Sequence, residues 1–335
     1  MKRGRMKRLA IFGGGAWGTA LATVAARAGT EPVLWARDAD IVATVNQRHE
    51  NPMFLPGVAL DPRIAATADP AAALDRADAV LLVVPAQFLR GVLGALAPLL
   101  EPGLPLLLCA KGIEHGSLMT MSELAAEMAP AAPAAILSGP SFAAEVARDR
   151  PTAVTIASRD PNLAREFMAA LGTPRFRPYL SVDPIGAEIG GAAKNVLAIA
   201  CGITDGRALG ENARAALITR GLAEIARLGI AKGGQADTFR GLSGLGDVVL
   251  TCTAATQSRN HALGMALGRD DSLAEALAGR RSVVEGVATA AAITRLAARL
   301  DVEMPIAEAV EAVLHRGMTI DHMIERLLAR PYRSE

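Results

Sequence analysis

The chain has 335 residues, more than one compact core usually holds, so two domains are expected. Its 35 basic and 34 acidic residues leave a net charge of +1, which gives no electrostatic case for nucleic acid or an anionic membrane. Only three cysteines occur, Cys109, Cys201 and Cys252; they fit no zinc or disulfide spacing and point to a reducing, cytoplasmic setting without a bound metal.

Met1–Arg8 is basic and Leu9–Ala26 carries no charge, a pattern shared with signal peptides. Gly13, Gly14, Gly15, Gly18, Thr19 and Thr23 make that stretch weakly apolar, so no stable membrane insertion is expected. Met6 is an alternative start, with Met1–Arg5 a short extension.

Short apolar runs then alternate with helical patterns. Strands are predicted at Leu9–Phe12, Pro32–Trp35, Ile64–Thr67, Ala79–Val84, Leu104–Cys109, Ala135–Leu137 and Thr152–Ala157. Helices are predicted at Trp17–Ala28, Ala39–Gln47, Gln87–Leu100, Met119–Met128 and Asn162–Leu171. Strands that are apolar throughout and separated by helices predict a doubly wound parallel sheet, covered on both faces.

The character changes at Asp183-Pro184, where strand signals almost vanish. Helical stretches follow at Ile185–Gly202, Ala213–Leu228, Ala262–Leu267, Ser272–Ala278, Val287–Leu300 and Ile306–Leu314. The expected division is therefore an α/β domain over 1–182 and an all-α domain over 183–335, with residues 330–335 a frayed tail.

Four groups of residues carry chemistry. Strand Leu9–Phe12 runs into Gly13-Gly14-Gly15-Ala16-Trp17-Gly18 and then a helix, which is G-x-G-x-x-G in a dinucleotide-binding context. Gly13 would allow the tight turn, Gly15 would admit a pyrophosphate, and Gly18 would let the helix pack on the strand. At the end of the second strand, Arg37 precedes Asp38, and an arginine there suits the 2′-phosphate of NADP(H) over the bare ribose of NAD(H). Beyond two later strands lie Ala110-Lys111-Gly112, offering a cation, and Ser138-Gly139-Pro140-Ser141-Phe142, offering N–H groups and a hydroxyl.

In the helical half, Gly186–Asn195 holds three glycines and sets Lys194 beside Asn195 among apolar residues. Each interior helical glycine costs roughly 1 kcal/mol against alanine, which a chain accepts where something must come close. Gly241–Asp247 packs three glycines before an aspartate. Ser258-Arg259-Asn260 precedes a helical pattern that Ser258 could cap, with Arg259 suited to phosphate. Val283-Val284-Glu285-Gly286 reads as a turn.

Together these motifs resemble the NAD(P)-dependent glycerol-3-phosphate dehydrogenase family of bacterial type, along essentially the whole chain. The resemblance implies a Rossmann domain followed by a helical substrate domain, a homodimer, and interconversion of dihydroxyacetone phosphate and sn-glycerol 3-phosphate for glycerophospholipid synthesis. It implies Lys194 as catalytic acid/base with Lys111 and Asp247 in the catalytic group. Gly139, Ser141, Ser258, Arg259 and Asn260 would join Lys111, Lys194 and Asp247 around the substrate. Gly13, Gly15, Ala16, Trp17, Gly18, Arg37, Lys111, Ala143, Arg259, Val283 and Glu285 would touch the cofactor. Two details depart from the family pattern. Ala16 stands where a small polar residue is frequent, and the loop from Asp247 to Ser258 is one residue longer.

In the expected chemistry, protonated Lys194 meets the charge that grows on the substrate carbonyl oxygen as hydride arrives. Lysine's ordinary pKa of about 10.4 leaves the acid form ready; Lys111 and burial would lower it and Asp247 would raise it. A 3-hydroxy-acid dehydrogenase of similar build is the nearest alternative. Its asparagine usually lies one turn after the lysine, a position held here by Ala198. A non-catalytic dinucleotide-binding regulator would not need Lys111, Lys194 and Asp247 together.

Overall fold

The fold is that of a computed structural model, which describes residues 6–279 and 282–331. The extension Met1–Arg5 and most of the expected tail lie outside the described residues. The chain divides into two compact units. One comprises 6–111 and 119–188; the other comprises 112–118 and the described residues from 189 onward.

The first unit runs β1 (Arg8–Phe12), α1 (Ala16–Arg27), β2 (Glu31–Trp35), α2 (Ala39–Arg48), β3 (Glu50–Asn51), β4 (Leu55–Ala59), β5 (Ala65–Thr67), α3 (Pro70–Leu74) and β6 (Ala79–Leu82). It continues with α4 (Leu89–Leu96), β7 (Leu106–Leu108), α5 (Met121–Met128), β8 (Ala134–Ser138), α6 (Ala143–Ala147), β9 (Thr152–Ala157), α7 (Pro161–Leu171) and β10 (Phe176–Ser181). Eight strands form one sheet in the order β10-β9-β8-β7-β6-β1-β2-β5. The winding reverses between β1 and β6, the place where such sheets bind ligands beyond their carboxyl ends.

Alternation along β1 shows why both faces are covered. Leu9 and Ile11 join one apolar cluster with Leu21 of α1 and Phe167 of α7. Ala10 and Phe12 join the other with Leu89 of α4 and Leu124 of α5. All four β1 residues are fully buried.

The sheet corrects one expectation. β9 runs antiparallel to β8, and β10 is parallel to β9, so this edge opposes the remaining strands. A strand buried on both faces has the same apolar pattern in either direction, so composition carries no sign of the reversal. The hairpin β3–β4, the short helices α3 and α6, and the half-exposed strand β10 have no counterpart among the predicted elements.

α8 (Pro184–Gly206) begins in the first unit and continues through the boundary between Glu188 and Ile189 without a break. The second unit adds α9 (Glu211–Ala231), α10 (Asp247–Thr253), α11 (Arg259–Gly268), α12 (Leu273–Leu277), α13 (Glu285–Arg299), α14 (Pro305–His315) and the unforeseen α15 (Ile320–Leu328). No strand occurs in it among the described residues. Residues 112–118 are tied to it by Arg295, which donates to the His115 carbonyl at 3.1 Å. α11 lies hard against α8: a Cβ on Gly202 would stand 2.1 Å from the His261 carbonyl, and one on Gly264 would stand 2.1 Å from that of Ile199. Among the described residues no helix is long and apolar enough to cross a membrane.

Glu188 anchors the first turns of α8. Its carboxylate accepts from the Ser122 backbone N–H at 2.7 Å and the Ser122 hydroxyl at 2.5 Å, at the start of α5. Burial pushes this carboxyl up from 4.5 to about 7, against the opposing pull of those hydrogen bonds. The folded state therefore binds the proton more tightly than the unfolded chain. Its contribution to stability is full below the unfolded value near 4.5 and is lost as pH rises through about 7. Urea unfolding at pH 5 and pH 8 should show the wild type losing on the order of 2–3 kcal/mol that Glu188→Gln retains; equal losses in both proteins would refute this.

Candidate active site

At the first turn, Gly13 leaves β1 with φ of 137°, a conformation that favours glycine, and its N–H donates to the Trp35 carbonyl at 3.1 Å. A Cβ on Gly18 would stand 1.9 Å from the Gly13 carbonyl, so α1 packs directly on the turn. Gly15 is the N-cap of α1 and offers no side-chain cap, and nothing lies within 4 Å of where its Cβ would be. The first helical bond runs from Thr19 N–H to the Gly15 carbonyl at 3.0 Å, leaving the N–H groups of Ala16, Trp17 and Gly18 outside the helix ladder. The Trp17 indole N–H is buried without a hydrogen-bond partner. Donors and a positive helix end suit an anion.

Two residues after β2, Arg37 is exposed, while Asp38 is engaged as the N-cap of α2, accepting the Asp40 N–H at 2.9 Å. The Gly14 carbonyl accepts from Asn51 Nδ2 at 2.9 Å, and the same amide reaches Thr19 Oγ1 at 2.8 Å. Asn51 belongs to β3 and carries no motif that sequence reasoning could use.

Beyond β7 and β8, Lys111 donates to the Gly139 carbonyl at 2.8 Å and the Ser141 hydroxyl donates to the same oxygen at 3.0 Å. Gly139 has φ of 118° and backs onto β9, where a Cβ would stand 3.2 Å from Val154 Cα. A lysine and a hydroxyl from separate loops thus meet at one turn. Ala143 opens α6 just beyond it.

In the second unit Lys194 lies on α8, 7% exposed, and its ammonium donates to Asp247 Oδ1 and to Thr251 Oγ1, the latter at 2.8 Å. Asp247 is 1% exposed. Asp247 and Thr251 stand one turn apart on α10, a spacing visible in the sequence although Thr251 had no assigned role there. A π-helical turn, Leu242–Gly246, leads into Asp247. Its backbone lies against α8, since a Cβ on Gly190 would stand 2.5 Å from the Ser243 carbonyl. Such turns are frequent where a side chain has to be re-aimed at a site.

Asn195, beside the lysine, accepts from Asn260 Nδ2 at 2.9 Å, and Asn260 Oδ1 accepts the Gly286 N–H at 3.0 Å. Both ends of the Asn260 amide are thereby used inside the protein. Ser258 caps α11, its hydroxyl accepting the His261 N–H at 3.2 Å. Arg259 is exposed and donates to the Val283 carbonyl at 2.7 Å. Glu285 opens α13 next to Gly286. The imidazole of His261, fully buried, bonds Asp205 at 2.9 Å, and Arg214 grips that carboxylate at 3.0 and 2.9 Å. Among the described residues no group of three or more His, Cys, Asp or Glu could hold a metal ion.

The predicted residues thus gather in two sets. Gly13–Gly18, Arg37, Lys111, Gly139, Ser141 and Ala143 belong to the first unit; Lys194, Asp247, Ser258, Arg259, Asn260, Val283 and Glu285 belong to the second. Chemically, the first set presents donors for phosphates, and the second a buried ammonium with a carboxylate beside a cation-bearing helix start.

Residues 8–164 match the family model described as "NAD-dependent glycerol-3-phosphate dehydrogenase N-terminus", and residues 183–325 match the "NAD-dependent glycerol-3-phosphate dehydrogenase C-terminus". Among curated proteins, the glycerol-3-phosphate dehydrogenase [NAD(P)+] of Rhodospirillum rubrum is 57% identical over 327 residues, covering 98% of this chain and 93% of that protein. The protein of the same name from Parvibaculum lavamentivorans is 55% identical over 329 residues, covering 98% of each chain. The crystal structure of glycerol-3-phosphate dehydrogenase from Coxiella burnetii superposes with a TM-score of 0.93 at 39% identity, covering 98% of this chain and 100% of that one.

The buried ion pair makes a direct prediction. Asp247→Leu leaves the Lys194 ammonium buried without its counter-charge and should cost about 3 kcal/mol or more in urea unfolding. Lys194→Met/Asp247→Leu together should cost less than Asp247→Leu alone, and a double variant at least as unstable as that single one would refute the pairing as the cause.

Proposed function

The chain belongs to the NAD-dependent glycerol-3-phosphate dehydrogenase family, and on that premise we propose how its residues perform the reaction. It is an NAD(P)-dependent oxidoreductase with sn-glycerol-3-phosphate dehydrogenase activity, and its place is in lipid metabolism. Its fold is a Rossmann-like α/β domain followed by a predominantly α-helical one. We further infer that it reduces dihydroxyacetone phosphate to sn-glycerol 3-phosphate in the cytoplasm, as a homodimer, with NADPH preferred over NADH.

The observation that carries the catalytic reading is the buried ammonium of Lys194, paired to Asp247 and bonded to Thr251. An opposite charge in contact favours the charged form of a buried amine, which here is the proton-donating form. A bound nicotinamide supplies the hydride for the carbonyl carbon. Lys194 supplies the proton to the carbonyl oxygen as negative charge develops there, so one hydride and one proton convert the ketone to the alcohol. Asp247 and Thr251 fix the direction of the Lys194 Nζ–H bonds. Arg259 and the capped start of α11 suit the substrate phosphate, and holding it fixes where the carbonyl lies. Asn260 holds α11 to α8 and α13 with one hydrogen bond at each end of its amide, and its second N–H and second lone pair suit the substrate.

In the first unit, the open N-terminus of α1, Gly15 and the unpartnered Trp17 indole N–H fit a pyrophosphate-bearing dinucleotide. Lys111, Gly139 and Ser141 add a cation and hydroxyl at the strand ends, and Ala143 lies beside them. In the second unit, Val283 and Glu285 would also contact the cofactor. NADP(H) preference rests on Arg37, because the neighbouring carboxylate of Asp38 is already occupied in capping α2.

Purified protein should consume NADPH or NADH in the presence of dihydroxyacetone phosphate, followed by loss of absorbance of the reduced nicotinamide. Lys194→Ala should lower kcat by about 10²–10⁴-fold while dinucleotide binding persists; retained turnover would place the acid elsewhere. The Arg37 reading has its own measurement. Arg37→Asp should shift the ratio of kcat/KM for NADPH over NADH toward NADH by at least about tenfold, and an unaltered ratio would remove Arg37 from discrimination.

A further inference from the structure

Asn51 lies far from the glycine turn in sequence, in the two-residue strand β3, yet its side chain is 1% exposed and ends at that turn. A carboxamide has two N–H donors. One goes to the Gly14 carbonyl at 2.9 Å and the other to Thr19 Oγ1 at 2.8 Å. The acceptor end, Oδ1, is buried with no hydrogen-bond partner. A buried acceptor without a partner is destabilising, so this carboxamide is an expensive way to fill the space, and only its donor end is employed.

The Gly14 carbonyl and the Gly15 N–H are the two polar ends of one planar trans peptide and point in opposite directions. Holding one aims the other. The Gly15 N–H has no backbone acceptor among the described residues. Gly14 itself packs against the residue after β2, where a Cβ on it would stand 2.5 Å from that of Ala36. The second bond, to Thr19, ties the same carboxamide to the first turn of α1, whose N–H groups face the same way. Were the Gly14–Gly15 peptide to rotate, its carbonyl would turn toward the anion site and repel a phosphate.

We propose that Asn51 is a positioning residue for dinucleotide binding: it clamps the Gly14–Gly15 peptide so that the Gly15 N–H is directed to the pyrophosphate. This rests on reading Gly13–Gly18 as the dinucleotide turn. The clamp acts on the part common to NADPH and NADH, so it sets affinity for both and discriminates between neither.

The test is titration of NADPH and NADH against Asn51→Leu, which keeps the bulk and removes both donors, with steady-state kinetics alongside. Dissociation constants for both dinucleotides should rise at least about tenfold, while KM for dihydroxyacetone phosphate and kcat at saturating dinucleotide stay within about twofold. Thr19→Val, which leaves the Gly14 bond intact, should have a smaller effect. Where the leucine variant does not fold, Asn51→Asp, of the same shape but without the amide donors, replaces it. Wild-type affinity in Asn51→Leu or Asn51→Asp overturns the proposal, as does a loss shared equally by KM for the ketone, since general damage to the fold would produce that. Gly15→Ala separates the two readings, because its methyl group enters open space. Undiminished dinucleotide binding in Gly15→Ala would show that the turn is not the dinucleotide site at all, whereas lost binding there with normal binding in the Asn51 variants would defeat only the clamp.

Discussion

The ammonium of a lysine only 7% exposed has to be compensated where it lies, and α8, α10 and the turn before α10 are arranged around that demand at Lys194. Removing one member of such a pair costs about 3–5 kcal/mol, a large fraction of a domain's net stability. α10 therefore cannot drift from α8 without exposing an uncompensated charge to an apolar interior. The π-helical turn before Asp247 and the backbone contact between Gly190 and Ser243 bring the carboxylate into range. A methyl group at Gly190 would push the turn away and take Asp247 with it.

The glycines of α8 follow from the same demand. Each weakens the helix by roughly 1 kcal/mol relative to alanine, which is less than the cost of an unpaired buried charge. Gly190 admits the turn that carries Asp247, while Gly202 and Gly206 admit α11 along its glycines Gly264 and Gly268. With α11 that close, Asn260 can reach Asn195 across the interface and His261 can reach Asp205 further along. The two polar contacts fix both the distance and the register of α11, and Ser258 and Arg259 lie at its start. Lys194 and the phosphate-suited end of α11 are thus held in one frame by a helix that would be a poor helix on propensity alone.

How much of this was legible depended on whether the signal was local. The glycine turn after β1 and the apolar strands with helices between them have local patterns, and both were readable. So were Lys194 and Asp247, because charged residues among glycines have no ordinary packing explanation. The reversal of β9 had no local sign, since a strand buried on both faces is apolar whichever way it runs. β3 spans only Glu50–Asn51, too short for any period to show. Asn51 was invisible for the same reason: its partners lie 37 and 32 residues away in the chain. Asn260 shows another limit: its position beside Arg259 suggests a substrate contact, but a sequence cannot reveal that the same amide also bonds Asn195 and the Gly286 N–H.

One device recurs at three turns that carry the proposed phosphate and cofactor contacts. The Gly14 carbonyl is held by Asn51, the Gly139 carbonyl by Lys111 and Ser141, and the Val283 carbonyl by Arg259. A turn offers N–H groups to an anion only if the carbonyls that alternate with them are kept away, and a side-chain donor does this at the cost of one hydrogen bond. Where the donor is neutral, as with Asn51, its whole role is orientation. Lys111 and Arg259 differ, because an ammonium has three N–H donors and a guanidinium five. Each can hold a carbonyl with one N–H and still direct positive charge toward a phosphate with others. The same side chain then shapes the turn and supplies its charge. Replacing Arg259 with a neutral residue would therefore remove the attraction and release the Val283 carbonyl together, whereas at Lys111 the Ser141 hydroxyl would still hold the Gly139 carbonyl and chiefly the charge would be lost.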